Sequence, residues 1–263
     1  MSADAWTLST HEFRLLWEMQ ADRTPYPRTF AFGGGETFDD ADDRRKVEKQ
    51  IRSELQATTS QMKEAAFASF AAPRFSVDVI GARAHGTRLD HFRAHGAWRG
   101  RPEPAFLAVQ KSTDDLTIGG DVDITRYDAT GWSDAIVGVL PQSPPAGRLP
   151  VDNNVPTNSQ PVADVVLRSI ASSASKTSAA AAFAHLAPSM GAVITLRVGS
   201  LADTHSPDSA DIHVADIDDD GRYALIMDEP ATALGVDADA LARLVNKVLN
   251  TVRSRHDEKR ESA

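Results

Sequence analysis

Residues 212–227 read Ile-His-Val-Ala-Asp-Ile-Asp-Asp-Asp-Gly-Arg-Tyr-Ala-Leu-Ile-Met, and two physical readings compete for them. Asp216, Asp218, Asp220 and Gly221 carry the D-x-D-x-D-G spacing that opens an EF-hand calcium loop. The closing ligand fails: the loop's twelfth position is Met227 where a bidentate Glu is needed. Tyr223 to Met227 moreover alternates as a strand where an exiting helix should be. The second reading needs only local chemistry. Asp-Gly between two alternating runs is a hairpin signal, because glycine supplies the positive φ of a tight turn. The hairpin decides the class of this half: antiparallel strands, with no helix-loop-helix calcium unit.

Outward from the hairpin the pattern extends on both sides. Ala192 to Val198 alternates as a preceding strand, and Leu241, Leu244, Val245, Val248, Leu249 and Val252 keep the spacing of one helical face to the C-terminus. The N-terminal half has the same grammar. Ser9 and Glu12 form a capping box ahead of a helix from Thr10 to Gln20, with Phe13, Leu16 and Trp17 on one face. Pro25 and Pro27 stop it, and Tyr26 to Phe32 reads as a short extended segment before Gly33, Gly34 and Gly35. Val47, Ile51 and Leu55 mark a second helix with a narrow apolar stripe, and a third spans Ser60 to Ala71 before Pro73. Phe75, Val77 and Val79 then switch the period to two, and Thr87 to Ala94, Ala105 to Gln110 and Leu116 to Ile124 are further strands of a meander. A helix from Ser133 to Leu140 closes the half.

Residues 141–161 hold six prolines and read as a linker or long surface loop. Beyond them Ala181 to Pro188 echoes Ala65 to Pro73, each proline preceding a strand. The expected architecture is therefore α/β in its α+β form: a quasi-two-fold repeat of antiparallel sheet with flanking helices. Its halves are residues 1–140 and 162–263, joined through 141–161 into one compact unit.

Composition excludes several classes of function. The 263 residues contain no cysteine, so disulfides and thiolate sites are unavailable and a reducing, cytoplasmic setting is expected. No signal-peptide pattern opens the chain and no run approaches the ~20 apolar residues of a membrane span. A formal charge of -9, from 28 basic and 37 acidic residues, argues against general nucleic-acid binding.

Catalytic motifs are sought and fail. Gly33 to Gly35 lacks the lysine of a phosphate loop, and Gly131-Trp132-Ser133-Asp134-Ala135 lacks the last glycine of a nucleophile elbow, so Ser133 reads as a helix start. His85, His91 and His95 lie among Arg83, Arg88, Arg93, Arg99 and Arg101, whose charge would repel a cation. That cluster is either a solvated hairpin edge guarded by charge or, with Trp98, a surface for an acidic partner. No catalytic residue, cofactor or metal ligand is assigned. The alternative is a small metal-dependent hydrolase or transferase, with Asp216, Asp218 and His213 as first suspects.

The capped first helix with Phe13, Leu16 and Trp17, the strand led by Pro73, the proline-rich middle and above all Asp216 to Tyr223 resemble the EspG family, over about Trp6 to Val252. The resemblance implies a cytosolic actinobacterial chaperone of type VII (ESX) secretion, without catalysis. It would bind the apolar tip of the PPE protein in a PE/PPE heterodimer, by a β-hairpin loop and by the face that the sheet forms with the C-terminal helices. Carried onto this chain, that points to Arg83, His85 and Arg88, to Trp98, Arg99 and Arg101 in a loop from His95 to Arg101, and to Leu234, Leu241, Leu244 and Val248. Leu244 and Val248 also read as ordinary core. The segment Ala84 to Thr87 is short for the family's hairpin loop. A homodimer is a further possibility.

Overall fold

The architecture follows from Pro73 and the strand it introduces. In the computed structural model, which describes residues 5–21, 24–33, 40–86, 88–141, 144–148, 188–199, 208–226 and 232–262, nine strands form a single antiparallel sheet. In chain order they are β1 (Ala5–Leu8), β2 (Phe75–His85), β3 (Arg88–Trp98), β4 (Ala105–Gln110), β5 (Val122–Tyr127), β6 (Met190–Val198), β7 (Asp208–Ile217), β8 (Gly221–Ile226) and β9 (Thr232–Gly235). Five helices are described: α1 (Thr10–Gln20), α2 (Ala41–Thr58), α3 (Gln61–Ala71), α4 (Trp132–Gly138) and α5 (Ala238–Glu261).

The sheet order is β1-β5-β4-β3-β2-β6-β7-β8-β9. Two consecutive meanders, β2 to β5 and β6 to β9, therefore meet at their first strands, and each ends in a helix, α4 or α5. Strands β2 and β6 run antiparallel in register from Phe75 opposite Val198 to Arg83 opposite Met190. An antiparallel pair at the seam relates the meanders by a quasi-two-fold axis, as the sequence repeat requires. The helical echo at Ala181 to Ala187 and the proline-rich stretch beyond Arg148 lie outside the described residues.

Because β2 is central, both its faces are covered. Phe75, Val77 and Val79 join Ile194, Leu196 and Val198 of β6 beneath α4 and α5, which supply Trp132, Ile136, Leu241, Val245 and Val252. On the opposite face α1 and α3 pack Phe13, Leu16, Trp17, Phe67 and Phe70 against Phe106 and Ile124. Each such fully buried large side chain contributes about 2–3 kcal/mol. The predicted capping box is present: Ser9 Oγ accepts from the Glu12 amide at 3.1 Å while Glu12 accepts from the Ser9 amide at 2.7 Å. Helix α2 is attached differently. It buries only Leu55 and is held to α1 by the ion pairs Arg14–Glu48 and Arg52–Glu18.

Several expected boundaries move. The strand expected over Leu116 to Ile124 begins at Val122, since the Asp115 carboxylate accepts from the Thr117 amide at 2.8 Å and bends the chain into a turn. The strand expected over Thr87 to Ala94 continues to Trp98, so the predicted loop from His95 is strand for its first four residues. Tyr26 to Phe32 joins no strand. Gln110 takes the place of a neighbour there: its carboxamide accepts from the Ala31 amide at 2.9 Å and donates to the Ala31 carbonyl at 2.8 Å. Strands β1 and β9, at the two sheet edges, are additions.

Candidate functional site

The hairpin β2–β3 outgrows its neighbours. Strand β6 pairs with β2 only as far as Arg83, and β4 pairs with β3 only from Arg93 onward. The tip around Gly86, which sits at φ 62°, therefore projects as a two-stranded ribbon. His85, Arg88 and Leu89 are exposed on it. Arg88 bridges Asp90 at 3.1 Å and Asp114 at 2.9 Å, and Arg93 donates to the Leu116 carbonyl at 2.6 Å. Burial, then the neighbouring Arg93 charge, lowers the pKa of His91.

Strand parity sorts these residues by face. Ile80, Ala82, Ala84, Leu89, His91 and Arg93 share the face that carries α1 and α3, whereas Arg83, His85 and Arg88 take the α5 face. Ile80, Leu89 and Leu116, 41, 43 and 51 % exposed, are three of the four exposed large apolar side chains among the described residues. Leu234, the fourth, lies on the edge strand β9.

The expected contact residues are thus not gathered in one place. Arg83, His85 and Arg88 sit at one end of the hairpin, while Trp98, Arg99 and Arg101 follow the other end of β3, about 30 Å away at ~3.3 Å per residue. Trp98 stacks on Phe75 with centroids 5.1 Å apart and donates its indole N–H to the Glu103 carbonyl at 2.9 Å. Arg99 faces Glu103 at 3.7 Å, and Arg101 is exposed ahead of a cis proline. Leu241, Leu244 and Val248 face the core, at 0, 9 and 8 % exposure.

The acidic hairpin is a structural lock. Asp216 on β7 faces Arg222 on β8, accepting from its Nε at 2.6 Å and its Nη2 at 2.9 Å, and Arg83 reaches the same carboxylate at 3.1 Å. Arg222 is wholly buried and also donates to the Pro141 carbonyl at 3.1 Å. Its backbone bonds both Pro145 and Gly147 at 2.9 Å, pinning residues 145–147 against the strand. Tyr223 donates to Asp220, on the opposite face. Asp219 takes the left-handed conformation at φ 62° and Gly221 sits at φ 155°, so the turn uses two unusual backbones where the sequence suggested one. His213 is on the other face of β7 from Asp216, and burial lowers its pKa. The suspected trio of Asp216, Asp218 and His213 is not assembled, and no cluster of three metal-ligating side chains occurs among the described residues.

A polar group the sequence did not reveal lies at the seam. Asp78 of β2 accepts from Nδ1 of its cross-strand partner His95 at 2.8 Å and from Arg197 of β6. Burial raises the Asp78 pKa, but the His95 hydrogen bond and the charges of His95 and Arg197 outweigh it and bring the value to about 2. His95 is buried, not on a solvated edge, because β3 lies inside the sheet; Phe70 and Trp17 flank its ring at 5.6 and 6.3 Å. An aspartate within an alternating apolar strand was the available signal, since a buried carboxylate requires a partner.

The architecture is that of an α+β protein built from two antiparallel meanders joined at their first strands, with a projecting basic hairpin. The model of the EspG family matches residues 9–247, and the chain belongs to that family, which serves ESX secretion in a chaperone role. A search of curated proteins gave no match. No helix among the described residues is long and apolar enough to cross a membrane.

Proposed function

We propose that this chain is a cytosolic, non-catalytic chaperone that holds the apolar tip of a PPE protein, within a PE/PPE heterodimer, soluble for type VII export. The observation that carries the reading is the strip Ile80, Leu89 and Leu116, exposed beside Arg93 on the α1 and α3 side of the central hairpin. Apolar side chains rimmed by arginine suit a protein's greasy end, because desolvated aliphatic contact supplies affinity and arginine adds orientation. His85 and Arg88 are exposed on the opposite face of the ribbon, and Arg83 anchors it to Asp216. An interface of ordinary size, of order 1,600 Å² in total, is enough for a stable complex that can still be released.

Co-expression with PE/PPE pairs from the same genomic neighbourhood tests the reading. A soluble ternary complex should elute from size exclusion, and Leu89→Asp with Ile80→Asp should abolish it while leaving the circular dichroism spectrum unchanged. Failure of the unmodified chain with every such pair would end the proposal.

A further inference from the structure

Strand β4 ends at Gln110, opposite Arg93, so the ribbon beyond that pair lacks it as a neighbour. The β4–β5 loop, residues 111–121, takes up the position instead: His91, Arg93, Leu116 and Ile118 line one crevice between loop and strand.

The loop is built to hold a shape. Its base is closed by the Lys111 amide, donating to the Asp121 carbonyl at 2.8 Å, and by the Gly120 amide, donating to the Lys111 carbonyl at 3.1 Å. Within it the Asp115 carboxylate accepts from both the amide and the hydroxyl of Thr117 at 2.8 Å. The Thr113 hydroxyl is shared between the carbonyls of Asp115, at 2.8 Å, and Ile118, at 2.7 Å. None of these bonds fixes the loop to the hairpin. Two arginines of β3 do. Arg88 pairs with Asp114, but both side chains are exposed, and a solvated pair of this kind contributes little. Arg93 is half-buried and donates from Nη2 to the Leu116 carbonyl at 2.6 Å. A charged donor makes a stronger bond than a neutral one, and Arg93 has no ion pair among the described residues to compete for its guanidinium.

What this bond holds is an apolar side chain. Leu116 is the most exposed large apolar residue among those described, and it shares the strip with Leu89 and with Ile80, the cross-strand partner of Arg93. A leucine on a free loop would lose conformational freedom on docking, whereas one already held in place docks without that cost. We propose that Arg93 is a positioning residue of the client site: by bonding the Leu116 carbonyl it fixes the β4–β5 loop against the hairpin, and Leu116 thereby completes the apolar surface begun by Ile80 and Leu89. The inference rests on the chaperone reading and adds to it the loop and the residue that sets it.

A double-mutant cycle on the purified complex with a PE/PPE heterodimer tests it. Fluorescently labelled unmodified chain in that complex is displaced by unlabelled variants. Arg93→Met and Leu116→Ala should each compete about tenfold less well, and the double variant no worse than either, since both remove the same contact. Arg93→Met combined with Leu89→Ala should instead multiply the losses. Should Arg93→Met fail to fold, Thr113→Val, which loosens the loop from within, takes its place in the cycle. In the isolated chain the same variant should speed amide hydrogen exchange over residues 112–118 and leave β2 and β3 unchanged. Multiplied losses for Arg93→Met with Leu116→Ala, or unaltered exchange in the loop, would overturn the assignment and leave the chaperone reading standing. An unmodified chain that binds no such heterodimer would end both.

Discussion

Asp216 and Arg222 face one another across β7 and β8 through two hydrogen bonds of 2.6 and 2.9 Å, with the guanidinium at 0 % exposure. The two halves of the pair are not equivalent. Removing the acid leaves a buried cation without its carboxylate, whereas removing the base leaves Asp216 still bonded to Arg83. Asp216→Ala should cost about 3 kcal/mol or more in urea unfolding, and Arg222→Met distinctly less. Equal losses would show that Arg83 does not sustain the carboxylate.

The same pairing predicts the response to calcium. Asp216 is committed to arginines and Asp220 to Tyr223. Millimolar calcium should leave the thermal midpoint unchanged, and a rise of several degrees would restore the ion-binding reading.

Acid stability should depend on Asp78. Its pKa falls from the ordinary 3.8 to about 2 in the folded chain, so its stabilisation is complete above pH 4 and disappears as pH drops through 2. The difference corresponds to about 2 kcal/mol. Asp78→Asn should therefore flatten the acid limb of the stability curve between pH 4 and 2, and an unaltered limb would remove Asp78 from that role.

Tyr26 should titrate late. Burial first, and then the hydrogen bond of 2.8 Å that it donates to Glu18, push its pKa up to about 12. Any stabilisation from the phenol is present below pH 10 and lost towards 12. Absorbance at 295 nm, with Tyr26→Phe as the reference, should place the transition near pH 12, and Glu18→Gln should shift it down.

Trp98→Ala separates folding from docking. The indole packs on Phe75, so truncation should cost about 2 kcal/mol whether or not a partner touches it. Leu89→Asp, on an exposed side chain, should leave stability within about 0.5 kcal/mol. A client complex lost in the second variant but not in the first would identify the hairpin as the contact.

Much of this fold is legible because its elements are marked locally. Helix α1 keeps both predicted ends, Thr10 and Gln20, since Ser9 caps it and prolines follow; β4 likewise keeps Ala105 and Gln110. The Asp-Gly hairpin is read correctly for the same reason. Strands β1 and β9 escape because four residues are too few to show a period. His95 is misplaced because its environment depends on which strands flank β3, a non-local fact. For the same reason the arginines scatter: spacing along the chain does not show that one end of β3 is about 30 Å from the other.

The pairing of β2 with β6 has a practical consequence. Since the two meanders share one continuous backbone ladder and a common apolar layer, their union does not require the peptide connection between them. Residues 1–148 and 149–263, produced as separate polypeptides, should reassemble spontaneously, and each could carry one part of a split reporter.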